Sequence, residues 1–302
     1  MPSSEALAAI EQIRSQPPAP TAGLSFAEQR EQSGLQLSAM CPLPADAKTE
    51  SVTVAGVPAL WVELPESRLE SAILYLHGGG YVLGSILSHQ ELAARIGRAA
   101  RAKVLVLDYG LAPESPYPTA VENAVDAYRA LLDDGFAPGR VVLAGDSAGG
   151  GLTVATLVAL RDRGIPLPAA GVALSPWADL TLSGDSVTSK VDEEPILDVD
   201  TLREWAGLYA GSAGTDHPLV SPLGADLAGL PPLLIQVGTA EVLFSDSERL
   251  VEALRAAGGT VEYQPEEGLF HCFPMFPFFP EAHQAVDRIG DFVRRHTGEE
   301  GA

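Results

Sequence analysis

The chain has 302 residues, of which 46% are hydrophobic and 20% are charged, a composition that is ordinary for a globular protein and excludes wholesale disorder. Its 40 acidic residues against 19 Lys and Arg give a formal net charge of −21, so nucleic acids and anionic membranes would repel its surface. We therefore expect no nucleic-acid partner and no docking to a membrane.

The two cysteines, Cys41 and Cys272, are too few for a disulfide framework, and no CxxC pair indicates a metal site. We expect no bound metal. The N-terminus has no basic segment followed by the apolar run of a signal peptide, and the uncharged stretch 148–160 is too short to span a bilayer. These features predict a cytoplasmic protein.

The first 45 residues predict two helices. Ala6 and Ile10 recur at helical spacing, and the prolines within 16–20 end that helix. Ser25, followed three residues later by Glu28, is typical of a capping box that opens a second helix.

From residue 51 onward, short strands alternate with longer helical stretches. Strands are predicted at 51–57, 59–64, 72–76, 104–107, 141–144, 171–174, 233–237 and 260–264, and helices at 88–101, 118–134, 147–163, 246–257 and 280–296. Short apolar strands that alternate with helices are typical of a parallel sheet covered on both faces. The predicted fold class is α/β, with a mostly parallel eight-stranded sheet flanked by helices.

The segment 183–215 interrupts this alternation and contains a helix with Leu202 and Trp205. Together with the helices of 1–45, it is expected to form a helical cap over the active edge of the sheet. The alternative is a surface excursion without function. The predicted organisation is therefore N-terminal cap helices in 1–45 and a catalytic domain in 46–302 that carries the cap insertion at about 183–215.

The most informative segment is the G-x-S-x-G sequence formed by Gly145, Ser147 and Gly149, which follows a buried strand and precedes a helix. A strand that turns sharply into a helix strains the serine backbone, and its neighbours two residues away need to lack side chains. The alternative is a glycine-rich turn that only packs or binds phosphate. In this context we predict that Ser147 is a nucleophile.

A second strand ends in the glycines of 78–80. Acyl transfer builds negative charge on the substrate carbonyl oxygen, and backbone N–H groups in such a loop can approach that oxygen without obstruction. The residue after the nucleophile, Ala148, supplies a further N–H group. The alternative is a loop that is flexible for no catalytic reason.

The general base is expected on a loop after the last strands, and His271 is the histidine that fits. The orienting carboxylate is expected after the strand 233–237, where Glu241 and Asp246 compete. Ser245 and Glu248 have capping-box spacing, which gives Asp246 an ordinary place in the first turn of a helix. We therefore prefer Glu241. The resulting order of Ser, acid and His is that of α/β hydrolases.

These motifs resemble those of the bacterial hormone-sensitive-lipase-like carboxylesterases, the GDSAG type of family IV of the α/β-hydrolase fold. The matching segments span roughly residues 72–275 and comprise 77–80, 108–114, 145–150, 175–180 and the region of His271. The resemblance implies an α/β-hydrolase fold with a cap. It also implies hydrolysis of short- to medium-chain carboxylic esters without a cofactor.

The resemblance further implies that Gly79 and Gly80 join Ala148 as oxyanion donors, and that the protein forms homodimers through the edge of its sheet. Members of the family usually have Asp where Glu241 stands. Because Glu is one methylene longer, the loop is expected to sit slightly further back.

Five of the nine phenylalanines lie within 270–279, around the predicted base. Aromatic walls exclude water and bind acyl or aryl groups, so Phe270 and Phe273 are predicted to contact the substrate. Tyr81, directly after the glycines, and Trp177 are further candidates. The alternative is that the phenylalanines anchor the cap and the closing helix.

The predicted reaction is hydrolysis of a small-molecule ester through a covalent acyl-enzyme on Ser147. One alternative is a hydrolase fold that only binds a small ligand, as a receptor does. Another is that the same groups cleave amides or lactones, since a fold does not determine its substrate.

Overall fold

The structure is a computed structural model that describes residues 1–15 and 23–298. Its strands are β1 (Lys48–Val54), β2 (Val57–Glu63), β3 (Arg68–Leu76), β4 (Ala102–Leu107), β5 (Val141–Asp146), β6 (Ala170–Leu174), β7 (Leu233–Gly238) and β8 (Val261–Glu266). They form one sheet in the order β1-β2-β4-β3-β5-β6-β7-β8. The pairings of β2 with β1 and β4 are antiparallel, and the other five are parallel. This confirms the predicted α/β class and the mostly parallel, eight-stranded sheet.

The helices cover both faces of this sheet. Within the described residues they are α1 (Ser4–Ser15), α2 (Phe26–Met40), α3 (Ile86–Ala100), α4 (Thr119–Asp133), α5 (Ala148–Asp162), α6 (Ser186–Ser189), α7 (Val199–Ala210), α8 (Phe244–Ala256) and α9 (Pro280–His296). No helix in this part of the chain combines the length and the apolar character needed to cross a membrane.

Strand β3 shows why the predicted strands are apolar throughout. Ile73 and Tyr75 pack into the layer with α3 and α9, whereas Leu74 and Leu76 pack into the layer with α4, α5 and α8. Successive side chains of a strand point to opposite faces, so a strand with helices on both sides buries every residue. Burial of each such leucine contributes about 1.5–3 kcal/mol to folding. The strand therefore presents apolar side chains to both helical layers.

The first hairpin differs from its prediction. The alternating pattern predicts a strand over 51–57, but β1 runs from Lys48 to Val54 and β2 begins at Val57. Ala55 and Gly56 lie between them with positive φ angles of 50° and 83°, the backbone of a two-residue hairpin turn. An alternating apolar pattern continues through such a turn, so it does not mark the end of the strand.

The N-terminal helices and the segment 183–215 meet above the carboxyl ends of the strands. Helix α2 begins with the predicted capping box of Ser25 and Glu28. In α1, the Arg14 guanidinium donates to the backbone carbonyl of Glu193 at 2.7 Å. The predicted break at 16–20 lies outside the described residues. The contact of Arg14 with Glu193 joins two parts of the chain that are 179 residues apart.

Candidate active site

Ser147 occupies the predicted strained turn between β5 and α5. Its φ of 53° and ψ of −121° are unfavourable for a residue with a side chain, and strain of this kind concentrates at functional sites. A Cβ atom on Gly149 would lie 1.9 Å from the carbonyl oxygen of Leu76, and one on Gly145 would lie 2.3 Å from the carbonyl oxygen of Gly149. The two flanking glycines are therefore required by the close approach of backbone on both sides.

The glycine loop around Gly79 and Gly80 borders the same cavity as Ser147. Gly79 has a φ of 115°, and a Cβ atom on Gly80 would lie 2.2 Å from Cε3 of Trp205 in α7. Among the residues that the structure describes, the backbone N–H groups of Gly79 and Gly80 donate to no protein acceptor. Ala148 is the first residue of α5, so its N–H group has no partner within the helix. These three groups are available to an oxygen atom bound beside Ser147.

His271 lies on the loop after β8 and is oriented by Glu241, which lies on the loop after β7. Its Nδ1 is 3.1 Å from Glu241 Oε1, and both residues are buried. The second oxygen of this carboxylate, Oε2, accepts the hydroxyl of Ser175 at 2.8 Å and the N–H group of Gly238 at 3.2 Å. Because Oε2 is held by two donors, Oε1 is held in place against the imidazole.

The charge of His271 depends on these neighbours. Burial disfavours the imidazolium, but the effects of Cys272 and Glu241 outweigh it and raise the pKa of His271 well above its usual value. Burial raises the pKa of the Cys272 thiol to about 12, so this thiol is neutral at physiological pH. At such a pH, the Glu241 carboxylate, 3.1 Å from Nδ1, is the neighbour whose charge stabilises the imidazolium.

His271 and Ser147 line one cavity. Within the described residues, Ser147 Oγ makes no hydrogen bond, and the close neighbour of His271 Nε2 is Cys272 Sγ, at 3.4 Å. Catalytic hydrogen bonds are often long in free enzymes and shorten in the substrate complex. The structure thus places the serine and the imidazole together at one site without joining them by a hydrogen bond.

Asp246, the competing acid, makes no hydrogen bond to His271 in the described part of the chain. It lies in the first turn of α8, as predicted, but the predicted capping box is absent. Helix α8 begins at Phe244 and has no side-chain cap, so the capping box predicted at Ser245 is not formed. The Asp246 carboxylate is fully buried and accepts the N–H groups of Ala178 and Asp179 at 2.9 and 2.8 Å. Burial raises its pKa to about 8. Its contacts are those of a residue that anchors a loop to a helix.

Sequence reasoning missed a buried network beneath the glycine loop. Asp146, next to Ser147, accepts the hydroxyl of Tyr75 at 2.8 Å and the N–H group of Gly78 at 3.0 Å, and its other oxygen lies 3.3 Å from His89 Nε2. These partners outweigh burial and lower the pKa of Asp146. The aspartate within G-x-S-x-G was the available signal, and its role is to join the serine turn to the glycine loop.

The cavity above Ser147 has a volume of about 320 Å³ and a mainly apolar wall. Its larger side chains come from α2, the loop after β3, the segment 183–215 and the loop after β8: Leu37, Leu83, Ile196, Leu197, Leu202, Trp205, Met275 and Phe276. The cavity is therefore formed jointly by the sheet's carboxyl edge and the helices above it.

None of the four side chains predicted to contact the substrate is part of this wall. Tyr81 is stacked on Tyr209 at 3.7 Å between ring centroids, and Trp177 is fully buried in the same apolar layer. Phe270 and Phe273 pack with residues of α1 and α9. The prediction is corrected accordingly, since these phenylalanines anchor the surrounding helices and Phe276 is the one that reaches the cavity.

Comparisons with known proteins identify relatives of this chain. A family model described as alpha/beta hydrolase fold matches residues 73–275. An acetyl-hydrolase from Streptomyces hygroscopicus is 50% identical over 249 residues, which are 82% of this chain and 83% of the relative. An esterase from Acinetobacter venetianus is 34% identical over 260 residues, which are 85% of this chain and 86% of the relative. The crystal structure of an esterase from the bacterial hormone-sensitive lipase family superposes with a TM-score of 0.93 and 44% identity, covering 99% of this chain and 100% of the other.

Proposed function

The chain belongs to the α/β-hydrolase family and is a carboxylic ester hydrolase of the hormone-sensitive-lipase-like group, and we propose that it cleaves short- to medium-chain esters through a Ser147–His271–Glu241 triad. The observation that carries the proposal is that Ser147, on its strained turn, lines the same cavity as His271, which is paired with the buried Glu241. The expected intermediate is a covalent acyl-enzyme.

In the first half of the reaction, His271 Nε2 takes the hydroxyl proton of Ser147 as Oγ bonds to the ester carbonyl carbon. Glu241 stabilises the imidazolium that forms, through the contact at Nδ1. The tetrahedral intermediate then collapses, the bond to the alkoxy oxygen breaks, and His271 returns the proton to the leaving alcohol. A water molecule then attacks the acyl-enzyme by the same steps, with His271 taking its proton. Collapse of the second tetrahedral intermediate releases the carboxylic acid and restores the serine.

The negative charge of the tetrahedral intermediate is assigned to three N–H groups, those of Gly79, Gly80 and Ala148. The N-terminus of α5 adds its dipole at the same point. Loss of one such donor typically lowers turnover by about 10²–10³-fold. The Asp146 contact to Gly78 holds the glycine loop in register with the serine turn.

The chain-length preference follows from the cavity. We assign residues 1–45 and about 183–215 as a cap on a catalytic domain of 46–302, because both segments contribute to the cavity wall. A mainly apolar volume of about 320 Å³ accommodates a short or medium acyl chain together with a small alcohol. Longer chains meet Trp205 and Phe276.

Hydrolysis of p-nitrophenyl acetate, butyrate, octanoate and palmitate by purified protein tests this proposal, with p-nitrobutyranilide as the amide control. We expect a maximum of kcat/KM at butyrate or octanoate. Ser147→Ala should abolish turnover, and an organophosphonate should label Ser147. Wild-type activity in Ser147→Ala would exclude the triad, and the absence of any labelling or turnover would favour a ligand-binding role.

Removal of acetyl groups is a second candidate, because the Streptomyces hygroscopicus relative is named an acetyl-hydrolase. The same ester series distinguishes it, since an acetyl-specific enzyme has its maximum at acetate and falls steeply at butyrate.

We also propose a homodimer formed through the outer edge of β8, which pairs with β7 on one side. Light scattering during gel filtration would give a mass of two chains. A mass of one chain at micromolar concentration would contradict this proposal.

A further inference from the structure

Glu194 is a buried carboxylate that the proposed mechanism does not use. It lies between α6 and α7, and only 8% of the residue is exposed. Its Oε1 accepts the N–H groups of Ile196 at 2.8 Å and Leu197 at 3.3 Å, and its Oε2 accepts the N–H group of Val242 at 3.4 Å. One side chain therefore joins two segments that are 48 residues apart.

Both segments belong to the site. Ile196 and Leu197 line the cavity, and Val242 directly follows Glu241. We propose that Glu194 is a positioning residue that couples the wall of the substrate cavity to the loop that carries the catalytic acid. This inference rests on the proposed roles of Glu241 and His271.

The hydrogen bonds explain how the coupling works. Two consecutive N–H groups, of Ile196 and Leu197, converge on one oxygen atom and thereby set the turn that directs both side chains into the cavity. The second oxygen holds the first residue after Glu241. A displacement of the cavity wall is therefore transmitted to the carboxylate that orients His271.

Glu194 also acts through its charge. The titratable groups that face it are His271 and Glu241, from the loops after β8 and β7. The nearby Arg14 of α1 donates to the backbone carbonyls of Asp192 and Glu193. Burial raises the pKa of Glu194 to about 7, with His271 acting to lower it and Glu241 to raise it. Because interactions between charges are reciprocal, ionised Glu194 favours protonated His271.

The test compares Glu194→Gln, Glu194→Ala and the control Glu193→Gln. Glu193 is the neighbouring acid, but half of its side chain is exposed and it pairs with Lys190 at 3.2 Å. The titration of His271 is followed by the NMR chemical shift of its Cε1–H group, which is assigned with a His271→Asn variant. KM and kcat for p-nitrophenyl butyrate are measured on the same proteins.

Glu194→Gln should lower the pKa of His271 by about half a unit, since it removes one facing negative charge, and Glu193→Gln should leave it unchanged. Glu194→Ala removes the acceptor for three N–H groups and should raise KM about fivefold, the equivalent of the net contribution of one hydrogen bond. Glu194→Gln keeps one acceptor oxygen and should restore KM to within about twofold.

The inference is overturned if Glu194→Gln titrates like the wild type, if Glu193→Gln shifts His271 equally, or if Glu194→Ala folds with an unchanged KM. Should Glu194→Ala not fold, Glu194→Gln still decides the matter. The NMR titration needs no substrate, so failure of the proposed function, seen as activity in Ser147→Ala, is distinguishable from failure of this inference.

Discussion

Substitution of Glu241 by glutamine is the sharpest test of the triad, because the surroundings dictate how the amide must lie. The position of Glu241 Oε2 receives two donors, the Ser175 hydroxyl and the Gly238 N–H group. The amide oxygen of glutamine must occupy that position, since an NH₂ group there would face the Gly238 N–H group. The NH₂ group is then directed at Nδ1 of His271, where the carboxylate oxygen now lies at 3.1 Å.

This orientation of the amide changes the tautomer of the His271 imidazole. An amide donor at Nδ1 requires that nitrogen to accept, so the proton moves to Nε2, and Nε2 can no longer take the proton of Ser147. An Asp-to-Asn change that leaves a triad's geometry intact lowers kcat by about 10⁴-fold for this reason. We therefore expect Glu241→Gln to lower kcat for p-nitrophenyl butyrate by about 10³–10⁴-fold with little change in KM.

The pH dependence of kcat/KM tests the role of Glu241 independently. The free base is the active form of His271, and its pKa is raised, so kcat/KM of the wild type should fall as pH decreases through that raised value. Removal of the Glu241 charge lowers this pKa, so the acidic limb of the residual activity should move to lower pH by about one unit or more.

The matched control is Asp246→Asn, which removes the competing carboxylate from the start of α8. Asp246 contacts the N–H groups of Ala178 and Asp179, so this variant should keep kcat within about threefold of the wild type. A Glu241→Gln enzyme with half of the wild-type kcat, or an Asp246→Asn enzyme that is equally inactive, would refute the assignment of the acid.

Three further outcomes are expected. Gly80→Ala places a methyl group 2.2 Å from the Trp205 ring at a φ of 62°, so kcat should fall by about 10²-fold as the N–H group is displaced, and Trp205→Ala in addition should restore part of it. Trp205→Ala alone enlarges the cavity and should raise the octanoate-to-butyrate ratio of kcat/KM by about tenfold. Asp246 binds its proton more tightly when folded, with a pKa of about 8 against 3.8, so its contribution to stability is lost as pH rises between these values. Urea unfolding at pH 5 and 7.5 should therefore show a smaller loss of stability with rising pH in Asp246→Asn than in the wild type.

Local signals in the sequence were sufficient for the strand–turn–helix at Ser147 and for the order of the strands and helices. The turn is specified by residues within a few positions, because the two glycines and the buried strand must all be present for the backbone to bend. The closing helix, predicted at 280–296, has the same bounds in the structure, and its buried residues recur at helical spacing from Ala282 to Val293.

The choice between Glu241 and Asp246 shows where local signals end. Ser245 and Glu248 have capping-box spacing, yet α8 begins before them, and Asp246 is held by N–H groups 67 and 68 residues away. The side chains that line the cavity likewise cannot be predicted from the local sequence. Phe270 and Phe276 lie on an irregular loop without a period, so their directions are set by which helices pack against them.

The charges around the site explain how a buried imidazole can coexist with the buried carboxylates of Asp146, Glu194, Glu241 and Asp246. Asp146 is ionised, but its charge is taken up by Tyr75, His89 and the Gly78 N–H group. Burial raises the pKa of both Glu194 and Asp246 toward or above neutrality. Glu241 is the one of the four whose oxygen contacts His271. Which acid orients the base is therefore decided by the partners of each carboxylate, and spacing along the chain does not contain that information.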